Sequence, residues 1–306
     1  MAEYTDLYYP SHDGLTLYAR DYASASASQT LICIPGLTRN SADFEDLCAA
    51  LADEYRVLAV DLRGRGLSDY DPEPLNYHPG TYVRDIESLI DALQLESASL
   101  IGTSLGGVVS MLLASVKAEF VERIVLNDIG PEVNPAGVAR IRSYVNGQHS
   151  PSNWSEAIVL AKEIHCGALP DLSDAAWEKF TRRLYRQRES ELLLNYDEHI
   201  ADLFDVADAT DPNAQAKAMW EVYKQLSTLP IFVIRGEFSD ILSAQTLAKM
   251  AKLNTHVRSI EVSNRGHAPL LDETGVIPAI RGFLAEDKRG QTPFLILCFA
   301  ALPLLL

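Results

Sequence analysis

Residues 101–109 read IGTSLGGVV. Within them, Gly102-Thr103-Ser104-Leu105-Gly106 spells G-x-S-x-G around one reactive side chain, Ser104. A serine hydroxyl at its free pKa is a weak nucleophile and needs a base and an orienting acid from elsewhere in the chain. The motif has a structural condition: an apolar strand must precede it and a helix must follow. ASLIG before it reads as a strand, and LGGVVSMLLASV after it reads as an apolar helix. A sharp strand-to-helix turn strains the middle residue and lifts its hydroxyl clear of the sheet. Neighbours two positions away must then be small, which suits glycine at 102 and 106. The competing reading is a buried serine in a glycine-rich turn.

The elements that must position this serine alternate along the chain. Two alternating segments flank Asp13-Gly14, a hairpin signal. TLICIPG and RVLAVDL read as strands, the second ending at Arg63-Gly64-Arg65-Gly66. Between them Phe44, Leu47, Cys48 and Leu51 recur at helical spacing, with Ser41 placed to cap the helix. Tyr82, Ile86, Leu89, Ile90 and Leu93 mark another helix face, and ERIVLND another strand. Repeated β and α units argue for a parallel sheet covered on both faces. Residues 131–225 break the rhythm with charged stretches that read as helices and no strong strand. The rhythm resumes with PIFVIRG, SAQTLAKMAKL, VRSIEVS and VIPAIRGFLAE. The expected organisation is an α/β core of residues 1–130 and 226–286, a helical cap of residues 131–225, and an apolar tail of residues 287–306.

Serine motif, position and order together resemble the α/β-hydrolase superfamily over nearly all of residues 4–286. The resemblance implies a mostly parallel eight-stranded sheet flanked by helices, with the helical cap inserted after the sixth strand. It also implies a triad running Ser, then Asp or Glu, then His. Matched to that order, Ser104 is the expected nucleophile. His267, in Asn264-Arg265-Gly266-His267-Ala268-Pro269 after the strand VRSIEVS, matches the base that takes the serine proton and returns one to the leaving group. The acid has two candidates. Asp240, in Arg235-Gly236-Glu237-Phe238-Ser239-Asp240, matches the usual place after the seventh strand and is preferred. Asp128, in LNDIGP, ends the sixth strand, where some relatives carry the acid. The oxyanion hole is assigned to the backbone N–H groups of Leu105 and Leu37, with Pro35 standing where relatives often have histidine. Asp61 to Ser68 is read as a structural turn, with Asp61 and Arg63 in local bonding.

A serine at the elbow attacks carbonyl carbon and forms an acyl-enzyme, so hydrolysis of a small carboxylic ester leads. Cleavage of a C–C bond, a lactone or a thioester, and perhydrolysis, use the same residues. Two readings of other classes remain. One is a ligand-binding protein of this fold. The other is a cofactor-independent dioxygenase in which His267 and Asp128 form the base. Trp154, Trp177, Tyr185 and Tyr196 are placed either in the cap's pocket or in its packing. No metal-ligand spacing, phosphate loop or dinucleotide fingerprint appears, so neither metal nor cofactor is expected.

The chain has 306 residues, 47% hydrophobic and 22% charged, with a formal net charge of −16. Such acidity argues against nucleic-acid and anionic-membrane partners and is neutral about a small ester. Cys33, Cys48, Cys166 and Cys298 show no close metal-type spacing, and free thiols in a reducing, cytoplasmic setting are expected. The N-terminus lacks the pattern of a signal peptide. The terminal run FLILCFAALPLLL is shorter than the roughly 17–25 residues that span a bilayer as a helix. It is expected to be a loosely attached tail or a sequence artefact, with no integral span. Oligomeric state is not legible.

Overall fold

The structure is a computed structural model describing residues 3–23, 27, 29–145, 150–202, 204 and 211–286. The apolar tail of residues 287–306 lies outside the described residues. Eight strands form one sheet: β1 (Thr5–Pro10), β2 (Thr16–Tyr22), β3 (Thr30–Ile34), β4 (Arg56–Asp61), β5 (Ala98–Thr103), β6 (Val121–Asn127), β9 (Ile231–Gly236) and β10 (Val257–Val262). Their order across the sheet is β1-β2-β4-β3-β5-β6-β9-β10. β1 and β2 form the hairpin expected at Asp13-Gly14, paired from Thr5 opposite Asp21 to Pro10 opposite Thr16. β2 is also antiparallel to β4, and the remaining neighbours are parallel.

Side chains alternate across this sheet, as the two-residue period of a strand requires. Ile32, Ile34, Leu58, Val60 and Leu100 face one apolar cluster, and Leu31, Cys33, Val57, Ala59 and Ile101 face the other. Helices α2 (Pro79–Leu93), α3 (Leu105–Val116) and α8 (Ala244–Leu253) bury their apolar faces in the first cluster. Helices α1 (Glu45–Leu51) and α9 (Val276–Leu284) do so in the second. Phe44, Leu47, Cys48 and Leu51 are all buried, as their spacing predicts. The cap of the turn before α1 is Asn40, whose side chain accepts from the Ala42 N–H, and not Ser41.

β3 lies between β4 and β5, so the chain winds first to one side of it and then to the other. In open α/β sheets the crevice at the carboxyl ends of such strands is where ligands bind. The loop after β3 and the serine turn after β5 both open onto that crevice.

Between β6 and β9 the described chain forms α4 (Pro135–Val145), α5 (Trp154–His165), α6 (Asp174–Leu184), a hairpin of β7 (Tyr185–Arg188) and β8 (Glu191–Leu194), and α7 (Pro212–Gln225). The hairpin corrects the helical reading of YRQRESELLL: α6 ends at Leu184, and Glu189 turns the chain with φ 53°. Ala157, Ala161, Leu169, Trp177, Phe180, Leu184, Tyr185 and Leu192 form a core of their own. α7 packs differently, burying Trp220 and Tyr223 in the main core. Several contacts tie the inserted segment to the body. Lys179 and Arg183 of α6 bond Asp46, Asn40 Nδ2 donates to the Arg183 carbonyl, and the Gly266 N–H donates to the Ala168 carbonyl.

Candidate active site

Ser104 sits between β5 and α3 with φ 52° and ψ −116°, a conformation that L-residues rarely adopt. Its neighbours explain how that turn forms. A Cβ on Gly106 would lie 2.0 Å from the Ile34 carbonyl oxygen, and one on Gly102 would lie 2.4 Å from the Gly106 oxygen. A Cβ on Gly107 would meet Ile129 at 2.3 Å, so the third glycine lets α3 approach the chain beyond β6. The small neighbours of Ser104 are therefore required by backbone contact, as the motif predicts.

His267 Nε2 lies 2.7 Å from Ser104 Oγ, and His267 Nδ1 lies 2.8 Å from Asp128 Oδ2. A carboxylate accepts only, so Nδ1 carries the proton and Nε2 accepts from the serine hydroxyl. Asp128 is fully buried and has φ 57°. Its carboxylate also accepts from the Gly236 N–H at 2.8 Å and the Ser239 hydroxyl at 2.6 Å. Three donors thus hold the carboxylate with both oxygens occupied.

Asp240, the acid preferred from the sequence, is placed against Arg140, and it is Asp128 that meets His267. Asp240 does not reach His267; it forms a two-pronged pair with Arg140, at 2.5 Å to Nε and 2.8 Å to Nη2. The cause lies in α4. Asn134 N–H donates to the Ile241 carbonyl, and Gly137 approaches the Asp240 backbone so closely that a Cβ there would lie 2.2 Å from its oxygen. That packing turns Asp240 toward Arg140, one turn further along the helix. The Arg140 guanidinium lowers the Asp240 carboxyl pKa, against a smaller opposing effect of burial. The same loop instead presents Ser239 to Asp128.

The loop after β3 closes the other side of Ser104. A Cβ on Gly36 would lie 3.7 Å from Ser104 Cβ, and the Arg39 N–H bonds back to the Gly36 carbonyl at 3.2 Å. Leu37 stands in this turn, and its carbonyl accepts from Arg65 Nε at 2.8 Å. Arg65 is fully buried and also donates to the Arg63 carbonyl and the Tyr82 hydroxyl. Arg65 is thus a clamp on the Leu37 loop, a role that the sequence reading missed inside its structural turn. Leu105 begins α3, where the first amides have no carbonyl within the helix to bond and the helix dipole favours negative charge.

Asp61 and Arg63 are both buried but do not bond each other. Asp61 accepts from the Ser41 and Leu67 amides, while Arg63 binds Asp13, Asp71 and Asp85. His12, Asp13 and Asp85 could by spacing hold a cation. The Arg63 guanidinium already bonds both carboxylates.

A cavity opens over Ser104 and His267. Its body wall is Gly36 to Arg39 with Thr103 and residues 267–271, and its other wall is Ile141, Tyr144, His165, Ala168, Leu169, Phe180 and Arg183 of the inserted segment. Trp154, Trp177, Tyr185 and Tyr196 are not in this lining among the described residues. Trp177 and Tyr185 build the core of the inserted segment, Trp154 packs on it, and Tyr196 joins the main core. Their packing reading is the one that holds.

Sheet, serine turn and cavity are those of a hydrolase fold, and comparison with known proteins agrees. The sequence model of the alpha/beta hydrolase fold family matches residues 29–274, and the chain belongs to that family. It is 30% identical to a 3-hydroxybutyrate-oligomer hydrolase of Cupriavidus necator, over 81% of this chain and 86% of the relative. It is 28% identical to a 2-(acetamidomethylene)succinate hydrolase of Mesorhizobium japonicum, over 83% of this chain and 85% of the relative. The crystal structure of an alpha/beta hydrolase from Novosphingobium aromaticivorans superimposes with a TM-score of 0.86 at 41% identity, covering 93% of this chain and 99% of that one. The chain is an enzyme of the alpha/beta hydrolase family.

Proposed function

We propose that this chain is a serine hydrolase that cleaves a small carboxylic ester through an acyl-enzyme on Ser104. The observation that carries the reading is the continuous contact from Ser104 Oγ through His267 to Asp128. In the first half-reaction His267 Nε2 takes the hydroxyl proton as Oγ bonds the ester carbonyl carbon. The carbonyl oxygen becomes an oxyanion, and the Leu105 and Leu37 amides are the donors assigned to it. Collapse breaks the carbon–oxygen bond to the alcohol, which leaves with the proton from His267. Water then repeats the sequence on the acyl-enzyme and releases the acid and free Ser104. Asp128 fixes the imidazole tautomer and stabilises the imidazolium, and it stays ionised throughout.

Residues 131–225 act as a cap in this reading, setting acyl and alcohol preference through the wall from Ile141 to Arg183. The names of the two relatives support a substrate built from small carboxylic acids, and ester cleavage is the chemistry that a serine nucleophile performs most directly. Lactone, thioester and C–C substrates would use the same three residues. The His267–Asp128 contact also suits a cofactor-independent dioxygenase, in which the pair is a base and Ser104 only contacts substrate.

Turnover of p-nitrophenyl butyrate and labelling by a fluorophosphonate test the proposal. The wild type is expected to turn over and to label at Ser104, and Ser104→Ala and His267→Ala to do neither. Absence of labelling in the wild type would remove the nucleophile. Oxygen uptake with a heteroaromatic substrate that survives Ser104→Ala would favour the dioxygenase.

A further inference from the structure

The cavity wall carries a charged donor that the hydrolytic chemistry above does not use. Arg39 follows the oxyanion loop and lines the cavity with Ser104 and His267. Its Nε and Nη2 both donate to Asp43 at 2.6 Å, and Phe180 lies beneath the guanidinium carbon at 4.4 Å from the ring centroid. Its third nitrogen, Nη1, is buried and has no hydrogen-bond partner among the described residues. Arg183, on the facing wall, is in the same condition. Its Nη2 bonds Asp46 at 3.1 Å, while its Nε is buried and has no partner among the described residues.

Buried polar groups are normally paired, and an orphaned charged donor costs more than a neutral one. Two arginines that line one small cavity thus each keep a donor without a partner among the described residues, and an acceptor from outside the protein would complete either. Apart from its histidines, that lining carries two arginines and one aspartate, in a chain whose formal charge is −16. Each of these arginines is paired with a carboxylate, Arg39 with Asp43 and Arg183 with Asp46. Arginine is suited to this task because its planar fork keeps donors free after one edge has been used on a carboxylate. Asp43 holds that fork in place, so the donor is pre-organised before any ligand arrives.

We propose that the cavity selects esters whose acyl part carries a second, ionised carboxylate, with Arg39 as the specificity-determining residue and Arg183 as its neighbour across the cavity. The proposal rests on the serine-hydrolase reading for its turnover and on the arginine geometry for its charge preference. Neutral esters of the same length would leave both donors unpaired and bind more weakly.

The test compares the mono-p-nitrophenyl esters of succinate, glutarate and adipate with the methyl p-nitrophenyl diesters of the same acids. The series leaves the reach from Ser104 to Arg39 open. At least one acid is expected to show a kcat/KM tenfold or more above its methyl diester, carried mainly by KM. Arg39→Gln combined with Asp43→Asn removes the fork without leaving its carboxylate behind, and should bring that ratio below twofold. Arg39→Lys keeps a charge beside Asp43 but lacks the planar fork that aims a separate donor away from it; it guards against a folding failure and should lose most of the ratio. Equal rates for acid and diester in the wild type, or a ratio that survives both variants, would overturn the proposal. Calorimetric titration of Ser104→Ala with the three dicarboxylates reads the same site without turnover. Binding that weakens at least tenfold when Arg39→Gln and Asp43→Asn are added supports the proposal even if no ester is cleaved, whereas no binding of any dicarboxylate contradicts it. Loss of all turnover and of fluorophosphonate labelling in the wild type would instead strike the hydrolase reading.

Discussion

Ser104 is held by what its neighbours lack. Glycine at 106 is required by the Ile34 carbonyl, 2.0 Å from where a Cβ would stand. That neighbour is backbone in a central strand and cannot swing aside. Gly106→Ala is therefore expected to cost about 1–3 kcal/mol, as overpacking does, and to displace the hydroxyl as the turn gives way. Thermal denaturation and ester turnover measured together check this: a variant with wild-type Tm and wild-type kcat would show that the turn has room. Which carboxylate meets His267 is also set at this scale. Asp128 and the loop holding Asp240 follow neighbouring parallel strands, since Asn127 pairs with Ile234. Both carboxylates thus start near His267. The difference comes from contacts several residues away, at Asn134, Gly137 and Arg140, which spacing along a sequence does not encode.

At the scale of elements, Arg63 joins pieces that the chain makes far apart. Its fully buried guanidinium bonds Asp13 in the β1–β2 turn, Asp71 in the loop after β4 and Asp85 in α2. The Arg63 guanidinium holds the Asp13 carboxyl well below the usual carboxylate range. A carboxylate depressed in the folded state stabilises above its unfolded pKa, near 3.9, and the contribution fades as pH falls through the folded value. Asp13 is about one-third exposed (32%), so the pair is screened, and Asp13→Asn should cost roughly 0.5–1 kcal/mol at pH 7. Urea unfolding at pH 7 and at pH 3 measures it, and the gap between variant and wild type should narrow at the lower pH. A gap that widens would mean that Asp13 is not ionised against Arg63 in the folded protein. The β7–β8 hairpin belongs here too. Charged residues at near-helical spacing hid it, and the turn at Glu189 carries none of the usual glycine or asparagine signals.

Across the whole molecule, the alternating strands and helices were legible because every strand of the sheet but β1 has apolar residues on both faces and the helices carry apolar stripes. Ser104 and His267 were legible because their neighbours mark them, and the structure brings the two together. Arg39 and Arg65 were not, since a lone arginine in a loop carries no sign of which carbonyl or cavity it meets. Among the described residues no helix is long and apolar enough to cross a membrane. Cys33 and Cys48 are free and buried on the second apolar cluster, and burial pushes the Cys33 thiol up, while Cys166 is free and exposed. Reactivity follows thiolate and access. A Cys298→Ser chain is therefore expected to show one fast-reacting thiol with a colorimetric disulfide reagent when native, and three when unfolded. Two or more fast thiols in the native chain would contradict the packing of α1 on β3.

The relay itself is tested most directly by the rate of fluorophosphonate labelling at Ser104, read by intact mass, in Asp128→Asn and Asp240→Asn. Asparagine beside the histidine holds the wrong tautomer and costs roughly 10⁴-fold in turnover where the acid matters. Asp128→Asn is predicted to slow labelling by at least about 10³-fold on the same argument, and Asp240→Asn to label within a few fold of wild type. Fast labelling of Asp128→Asn with loss of labelling in Asp240→Asn would contradict the account.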